Sequence, residues 1–317
     1  MKTITHQGSL GKYPGNTLAA IQHALKNGAE AIEFDVNWCK SGELVLFHDL
    51  MAKPDGYRRK ARLSQLTLDE VQSIDLGEGH HAPTFEETLD FITNWCEEHN
   101  RERPLLFIEP KFQSRRNPGV QQIAEAAKDA VENKGWSYDQ MPFVTQNYFV
   151  LQKIRAHNPD VKIGASMAPV PRKIGPFRLS PQAHRRVEDT YTRFAEKLAR
   201  EMGMDYLNAE VRTVTDRADG KAPKFVERAK EAGMKISVWG ADQVEHLERA
   251  SERGITLDCA ITKKHDELRT WVERVKDETR NSLREIKADT KNSLRETGER
   301  IKDSATTPVS SPSPRTR

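Results

Sequence analysis

Residues 28–48 read GAEAIEFDVNWCKSGELVLFH and contain two short apolar runs, Ala31–Val36 and Leu44–Phe47. Only seven residues separate the runs, too few for the helical crossover that joins parallel strands. Glu33 and Asp35 are two positions apart in the first run, and side chains on a strand alternate between its faces. The stretch therefore predicts two strands without an intervening helix, with both carboxylates on the same face of the first.

On either side of this stretch, short apolar runs alternate with amphipathic segments of helical period. The sequence predicts nine strands: Thr3–Thr5, Ala31–Val36, Leu44–Phe47, Leu105–Ile108, Phe143–Thr145, Val161–Ala165, Tyr206–Ala209, Lys235–Trp239 and Cys259–Thr262. Such alternation favours a parallel sheet, and about eight repeats at this length favour an α/β fold of the (β/α)8 TIM-barrel type. Nine strands are one too many for that barrel, and the pattern does not identify the extra one.

The connection after the third predicted strand is much longer than the others. It contains a basic patch and Gly/His-rich turns. We interpret residues of about 50–104 as a small insertion over the barrel mouth.

The charges are distributed unevenly along the chain. The 317 residues carry 50 basic and 47 acidic side chains, a formal net charge of +3, and only 36% are hydrophobic. Residues 269–317 account for twelve of the basic and eight of the acidic side chains, which leaves a net charge of −1 on residues 1–268. We therefore expect no nucleic-acid partner for the main body.

The remaining composition predicts a cytoplasmic protein. The sequence has no run of about 18 apolar residues, as a membrane-spanning helix needs, and no apolar leader follows Met1. Cys39, Cys96 and Cys259 are odd in number and scattered, which predicts free thiols in a reducing compartment.

Ionisable side chains recur where the predicted strands end, the edge at which TIM barrels carry their active sites. They are His6, Glu33, Asp35, His48, Glu109 and Lys111. Oxygen-only ligands suit a hard divalent cation, and two histidines suit acid–base chemistry near neutral pH. Spacing alone also permits solvated strand faces and structural histidines.

A series of sequence blocks carries a resemblance to a known family. The main ones are HQG at 6–8, PGNTLAA at 14–20, GAEAIEFDV at 28–36, VLFHD at 45–49, LTLDEV at 66–71, APTFEE at 82–87, IEPK at 108–111, ISVW at 236–239 and GITLDCAIT at 254–262. In this order they resemble the glycerophosphodiester phosphodiesterase family, over about residues 2–267.

The resemblance implies a TIM barrel over residues 1–267, with a small insertion after the third strand. It implies that Glu33, Asp35 and Glu109 bind one divalent cation, Mg²⁺ or Ca²⁺. It further implies that His6 and His48 are the acid–base pair. Lys111 would contact phosphate, and Trp239 would line the glycerol side. The expected reaction is hydrolysis of a glycerophosphodiester to glycerol 3-phosphate and an alcohol.

Three positions depart from the usual family pattern. Gln7 stands where the family has arginine, Gly15 where it has glutamate, and Lys263 where it has aspartate. Gln7 offers phosphate a neutral hydrogen bond in place of a cationic clamp. Because the metal and histidine set is complete, we expect Gln7 to bind substrate in an active enzyme with altered substrate preference.

Two other functions remain open. One is a phospholipase D-like enzyme acting on lysophospholipid or sphingolipid, since related toxins of this fold also lack the arginine. The other is a non-catalytic protein that binds phosphodiesters or lipids.

The C-terminal segment contains a direct repeat of eleven residues, ETRNSLREIKA at 278–288 and DTKNSLRETGE at 289–299. This period predicts a long, nearly straight amphipathic helix over residues 268–303. Such a helix would self-associate, fold back on the barrel, or lie on an anionic membrane surface. Residues 304–317, rich in Ser, Thr and Pro, are expected to be disordered.

Overall fold

The computed structural model describes residues 1–9, 11–111, 118–170, 173–174, 177–216 and 222–277. The chain divides into two compact units, Met1–Leu268 and Arg269–Arg317. In the second unit, the described residues 269–277 are helical. The eleven-residue repeat and the segment 304–317 lie outside the described residues.

Thirteen strands are present in the described part of the first unit. They are β1 (Lys2–Thr5), β2 (Ala31–Trp38), β3 (Leu44–Leu46), β4 (Met51–Ala52), β5 (Ala61–Arg62), β6 (Leu105–Pro110), β7 (Phe143–Thr145), β8 (Ile163–Met167), β9 (Lys173–Ile174), β10 (Phe177–Arg178), β11 (Tyr206–Glu210), β12 (Lys235–Trp239) and β13 (Cys259–Thr262). Eight of them form a parallel sheet in the order β1-β13-β12-β11-β8-β7-β6-β2. Because β1 also pairs with β2, the sheet closes into a barrel. The expected TIM barrel is confirmed.

In the described part of the chain, residues 265–277 after the last barrel strand are helical, and nine α-helices precede that strand. They are α1 (Leu18–Lys26), α2 (Leu68–Gln72), α3 (Phe85–Glu98), α4 (Gly119–Asn133), α5 (Tyr148–His157), α6 (Pro181–Glu201), α7 (Val211–Thr215), α8 (Lys224–Glu231) and α9 (Val244–Glu252). Several begin at a side-chain cap. Thr84, for example, accepts from the backbone of Glu87, whose side chain accepts in return from Thr84, an arrangement that satisfies two backbone donors at once.

Of the nine strands predicted from the sequence, the one outside the barrel is β3. It runs antiparallel to the end of β2, with Leu46 opposite Val36, and the Phe47 N–H donates to the Asp35 carbonyl at 3.1 Å. The predicted strand that His48 follows is therefore an antiparallel strand beside the barrel. The chain turns back after Trp38 and returns to the level of Asp35, and this return brings His48 to the barrel mouth.

The segment between β3 and β6 combines a small excursion with a barrel helix. Strands β4 and β5 pair antiparallel, and an apolar cluster that includes Val45, Leu63 and Leu66 lies beneath them. Helix α3 contacts α1 and precedes barrel strand β6, as the outer helices of a TIM barrel do. Helix α3 thus lies inside the interval 50–104 that we interpreted as an insertion.

No helix in the described residues is long and apolar enough to cross a membrane. The cysteines Cys39, Cys96 and Cys259 are free and buried.

Candidate active site

Three carboxylates meet at the mouth of the barrel. Glu33 and Asp35 project from β2, and parallel pairing with β6 places Glu109 directly beside Asp35. One oxygen of each group lies within 4.8 Å of the others. Glu33 is 5% exposed and Asp35 1%. Because three like charges in a buried site repel one another, this cluster needs positive charge near it.

Lys111 supplies part of that charge. Its Nζ lies 3.0 Å from Asp35 Oδ1 and 2.9 Å from Glu109 Oε1. Burial disfavours the charged ammonium, yet the two carboxylates raise the pKa of Lys111 above its ordinary value. Burial and the neighbouring carboxylates raise the pKa of Glu33 well above the ordinary range. Burial also raises the pKa of Glu109. The positive charge of one lysine therefore does not balance the negative charge of the three carboxylates.

Asp35 is held by a set of polar groups on the loop after β1. Asn16 Nδ2 donates to Asp35 Oδ2 at 2.8 Å, and the Asp35 N–H donates to Asn16 Oδ1 at 3.0 Å. Asn16 adopts a left-handed φ of 59° and is 3% exposed. Asparagine tolerates this backbone region better than most residues. These bonds fix the direction in which the Asp35 carboxylate points.

Gln7 also binds the carboxylates. Its backbone N–H donates to Glu33 Oε2 at 2.8 Å, and its Nε2 donates to Asp35 Oδ2 at 2.8 Å. Gln7 is not among the described residues that line the central cavity. The structure thus places the side chain expected to bind substrate against a carboxylate instead.

The two histidines lie in different surroundings. His6 follows β1 and lines the cavity. Burial lowers the pKa of His6, which favours the neutral ring. His48 is 54% exposed at its side chain, and its Nδ1 lies 2.9 Å from Asp49 Oδ1. Both rings line the same cavity. His6 follows a barrel strand, whereas His48 follows the antiparallel strand β3.

A cavity of about 310 Å³ opens above the carboxylates. Seven of the residues that the sequence predicts for the site line it: His6, Glu33, Asp35, His48, Glu109, Lys111 and Trp239. Phe107, Val144 and Ile261 contribute apolar side chains to its lining. The site is therefore a pocket with a charged side and an apolar side, a form common to small-molecule sites.

Further lining residues were not expected as site residues. Ser166 and Asn208 lie on the neighbouring strands β8 and β11. Asn208 Nδ2 donates to Ser166 Oγ at 3.4 Å, and its Oδ1 accepts from Ser237 Oγ at 2.9 Å. Polar residues within otherwise apolar strands were the signal in the sequence that marked them.

Lys263, like Lys111, is a positively charged residue that lines the cavity. Its backbone N–H donates to Asp242 Oδ1 at 2.8 Å, and its positive charge contributes to the lowered pKa of His6 after burial. The position that departs from the family pattern therefore faces the same cavity as the histidines.

The residues present fit a divalent cation. The donors are three carboxylates with oxygens within 4.8 Å of one another, and hard cations such as Mg²⁺ and Ca²⁺ prefer oxygen ligands. Two of the three groups are buried, and Lys111 is the one ammonium bound to the cluster within the described residues. Added positive charge would relieve the repulsion that raises the pKa values of Glu33 and Glu109.

Sequence comparison relates the chain to known proteins. The model of the family described as "Glycerophosphoryl diester phosphodiesterase family" matches residues 6–267. A glycerophosphodiester phosphodiesterase from Bacillus altitudinis is 30% identical over 143 residues, which cover 42% of this chain and 53% of that protein. One from Caldanaerobacter subterraneus subsp. tengcongensis is 25% identical over 270 residues, 80% of this chain and 92% of that protein.

The fold also agrees with a solved structure. An Oleispira antarctica phosphodiesterase, solved in complex with the product sn-glycerol-3-phosphate, matches with a TM-score of 0.62. The two sequences are 20% identical, over 86% of this chain and 97% of that one, so this likeness shows the fold alone. Because the family model matches far more than half of the sequence, the chain belongs to the glycerophosphoryl diester phosphodiesterase family and is an enzyme that hydrolyses phosphoric diesters.

Proposed function

We propose that this enzyme hydrolyses small glycerophosphodiesters to glycerol 3-phosphate and an alcohol, with one divalent cation and a pair of histidines. The observation that carries the proposal is the meeting of Glu33, Asp35 and Glu109 within 4.8 Å, in a cavity that His6 and His48 also line. Carboxylates that hold a cation, beside two proton carriers, are what hydrolysis of an anionic diester requires.

Glu33, Asp35 and Glu109 would hold the cation, Mg²⁺ or Ca²⁺. When bound, the cation would supply positive charge that neutralises the phosphodiester and stabilises the negative charge that develops on the phosphate oxygens. Asn16 and Gln7 keep Asp35 oriented for this role, as outer partners of metal ligands commonly do.

His6 and His48 would move the protons. His6 accepts a proton from the attacking oxygen, because burial keeps its ring neutral. His48 donates a proton to the departing alcohol oxygen, with Asp49 holding its Nδ1 side and leaving Nε2 for the cavity. Water is the net acceptor, and the phosphorus–oxygen bond to the alcohol breaks.

Three further side chains would bind the substrate. Lys111 contacts a phosphate oxygen while it remains paired with the carboxylates. Lys263 adds a second positive charge at the rim. Trp239 packs against the glycerol portion, with an indole Nε1 that has no hydrogen-bond partner in the described part of the chain.

The proposal is tested with the full chain on glycerophosphocholine, by ³¹P NMR of the products. We expect glycerol 3-phosphate in Mg²⁺ or Ca²⁺, and none after chelation until the cation is restored. Glu33→Gln should remove the reaction, whereas Glu43→Gln, between β2 and β3 and outside the cavity lining, serves as the matched control. Choline phosphate as product, or turnover that survives chelation and Glu33→Gln, would contradict the proposal. Binding without turnover would favour a non-catalytic protein.

Lysophosphatidylcholine belongs in the same assay as a second substrate. Faster release of choline from this lipid than from glycerophosphocholine would favour the phospholipase D-like alternative.

A further inference from the structure

Helices α5 and α6 expose apolar side chains beside the barrel mouth. Phe194 is 64% exposed, Phe149 61% and Val187 40%, which makes them three of the five large exposed hydrophobic residues among the residues described. A groove of about 420 Å³ lies between the two helices and includes Phe149, Tyr191, Phe194 and Leu198 in its lining. We call Phe149, Val187, Tyr191, Phe194 and Leu198 the α5–α6 apolar face.

The sequence of α6 places these residues in one stripe. Val187, Tyr191, Phe194 and Leu198 follow one another at steps of four, three and four, and such residues share a helix face. Packing against the barrel does not account for the apolar character of this stripe, because the buried side of α6 carries Ala195 and Ala199 instead. Within the stripe, Val187 and Phe194 are exposed, and Tyr191 and Leu198 beside them are half-buried.

A row of basic residues lies next to the stripe. Arg186, Arg193 and Arg200 are seven residues apart, so they lie on one side of the helix at intervals of about 10 Å. Lys197 lies in the same row. All four are exposed. The outward surface of α6 therefore combines an apolar stripe with a positively charged edge.

Acidic residues compensate only part of this edge. Glu196 is buried and lies 2.7 Å from Arg228 Nε and 3.4 Å from Arg200 Nε. Glu201 lies 3.7 Å from Lys197 Nζ. Among the described residues, no carboxylate oxygen lies within 4.0 Å of a guanidinium nitrogen of Arg186 or Arg193. Asp189 lies in the same row, one turn from both Arg186 and Arg193. The four basic and three acidic residues therefore leave this edge with a net charge of +1.

The α5–α6 apolar face adjoins the catalytic cavity. Gln146 follows β7 and lines both the cavity and the groove. Helix α5 begins two residues later. Whatever binds this face therefore lies next to the mouth through which substrate enters.

We propose that the α5–α6 apolar face binds an anionic lipid bilayer surface. Phe149, Val187 and Phe194 enter the boundary between headgroups and acyl chains, while the arginine row contacts anionic headgroups, which is how basic amphipathic helices bind membranes. The charge of the edge favours an anionic surface over a neutral one. This contact is distinct from the C-terminal repeat and does not depend on the reaction.

The test is flotation of the full-length protein with vesicles of phosphatidylcholine, alone or with about 30 mol% phosphatidylglycerol. Two variants address the face: Phe194→Ser and the double variant Arg186→Gln/Arg193→Gln. The matched control is Lys26→Gln/Lys128→Gln, which removes the same charge from exposed sites on α1 and α4. Thermal unfolding and turnover of glycerophosphocholine confirm that every variant is folded, since none of these residues lines the catalytic cavity.

We expect binding of the wild-type protein to the anionic vesicles only, weakened by salt. The double arginine variant should reduce the partition coefficient by about tenfold or more, and Phe194→Ser by a similar factor, while the lysine control leaves it unchanged. Equal flotation of all variants, or no flotation of the wild type, would overturn the proposal. A wild-type dimer that Phe194→Ser converts to a monomer in light scattering would instead assign the face to a second copy, and would also overturn it.

Discussion

Gly15 leaves the space that the side chain of Gln7 occupies. A Cβ on residue 15 would lie 2.7 Å from Gln7 Cβ and 2.5 Å from Gln7 Oε1, closer than non-bonded carbon atoms approach. The two departures from the family pattern are therefore in contact. The hydrogen bond that Gln7 Nε2 donates to Asp35 therefore requires a residue without a Cβ at position 15.

Gly15→Ala should destabilise the protein by about 1–3 kcal/mol, because the added methyl group forces Gln7 or the backbone to move. Gln7→Gly removes the Cβ that would clash, at a position whose φ of 55° suits glycine. In urea unfolding, the double variant should therefore cost at least about 1 kcal/mol less than the sum of the single variants. Costs that add within about 0.5 kcal/mol would show that the two residues are independent.

Gln7→Arg should lower KM for glycerophosphocholine. An arginine beside Asp35 and Glu33 offers phosphate a charged, bidentate donor, and the absence of a side chain at Gly15 leaves room for the side chain at position 7. The measurement is steady-state kinetics at saturating cation. Gln7→Met, similar in length and uncharged, is the control and should not lower KM. An unchanged or higher KM in Gln7→Arg would count against a phosphate-binding role for this position.

Cation binding should stabilise the fold. Because the carboxylates repel one another without it, Mg²⁺ or Ca²⁺ should raise Tm of the wild-type protein, as any ligand that binds only the folded state does. Asp35→Asn should abolish most of that rise, since Asp35 is one of the three carboxylates whose oxygens lie within 4.8 Å of one another. Differential scanning fluorimetry across a cation titration measures this rise in Tm for the wild type and the variant. The same rise in Asp35→Asn as in the wild type would place the cation elsewhere.

The thiols should be protected in the folded protein. Burial raises the pKa of Cys39 and of Cys259 to about 12, and thiolates are the reactive form. Iodoacetamide at pH 8 should label these cysteines more slowly than in denaturant, by about 100-fold or more. Because unfolded thiols ionise near pH 8.5, the free energy of unfolding should fall as pH rises from about 8.5 toward 12. Rapid labelling of the folded protein, counted by mass spectrometry, would contradict this burial.

The sequence predicts the barrel well and the details of the site less well. Strand–helix alternation gives the eight parallel strands, and period-2 spacing places Glu33 and Asp35 on one face, because both patterns are local. The position of His48 depends on the return of β3 along β2, which a list of apolar runs does not distinguish from a barrel strand. The Gln7–Gly15 contact depends on two loop residues eight positions apart, and no periodicity marks it. The repeat beyond residue 277 lies outside the described residues, so its helix stays a prediction.

We infer that His6 and His48 carry the protons of the hydrolysis beside the carboxylate cluster. The most direct measurement is kcat for glycerophosphocholine in His6→Asn and His48→Asn, with the cation-induced rise in Tm recorded on the same samples. We predict that each variant loses about 10²–10⁴-fold in kcat and keeps the wild-type rise in Tm. A kcat within about threefold of the wild type in either variant, with the rise in Tm intact, would contradict the claim.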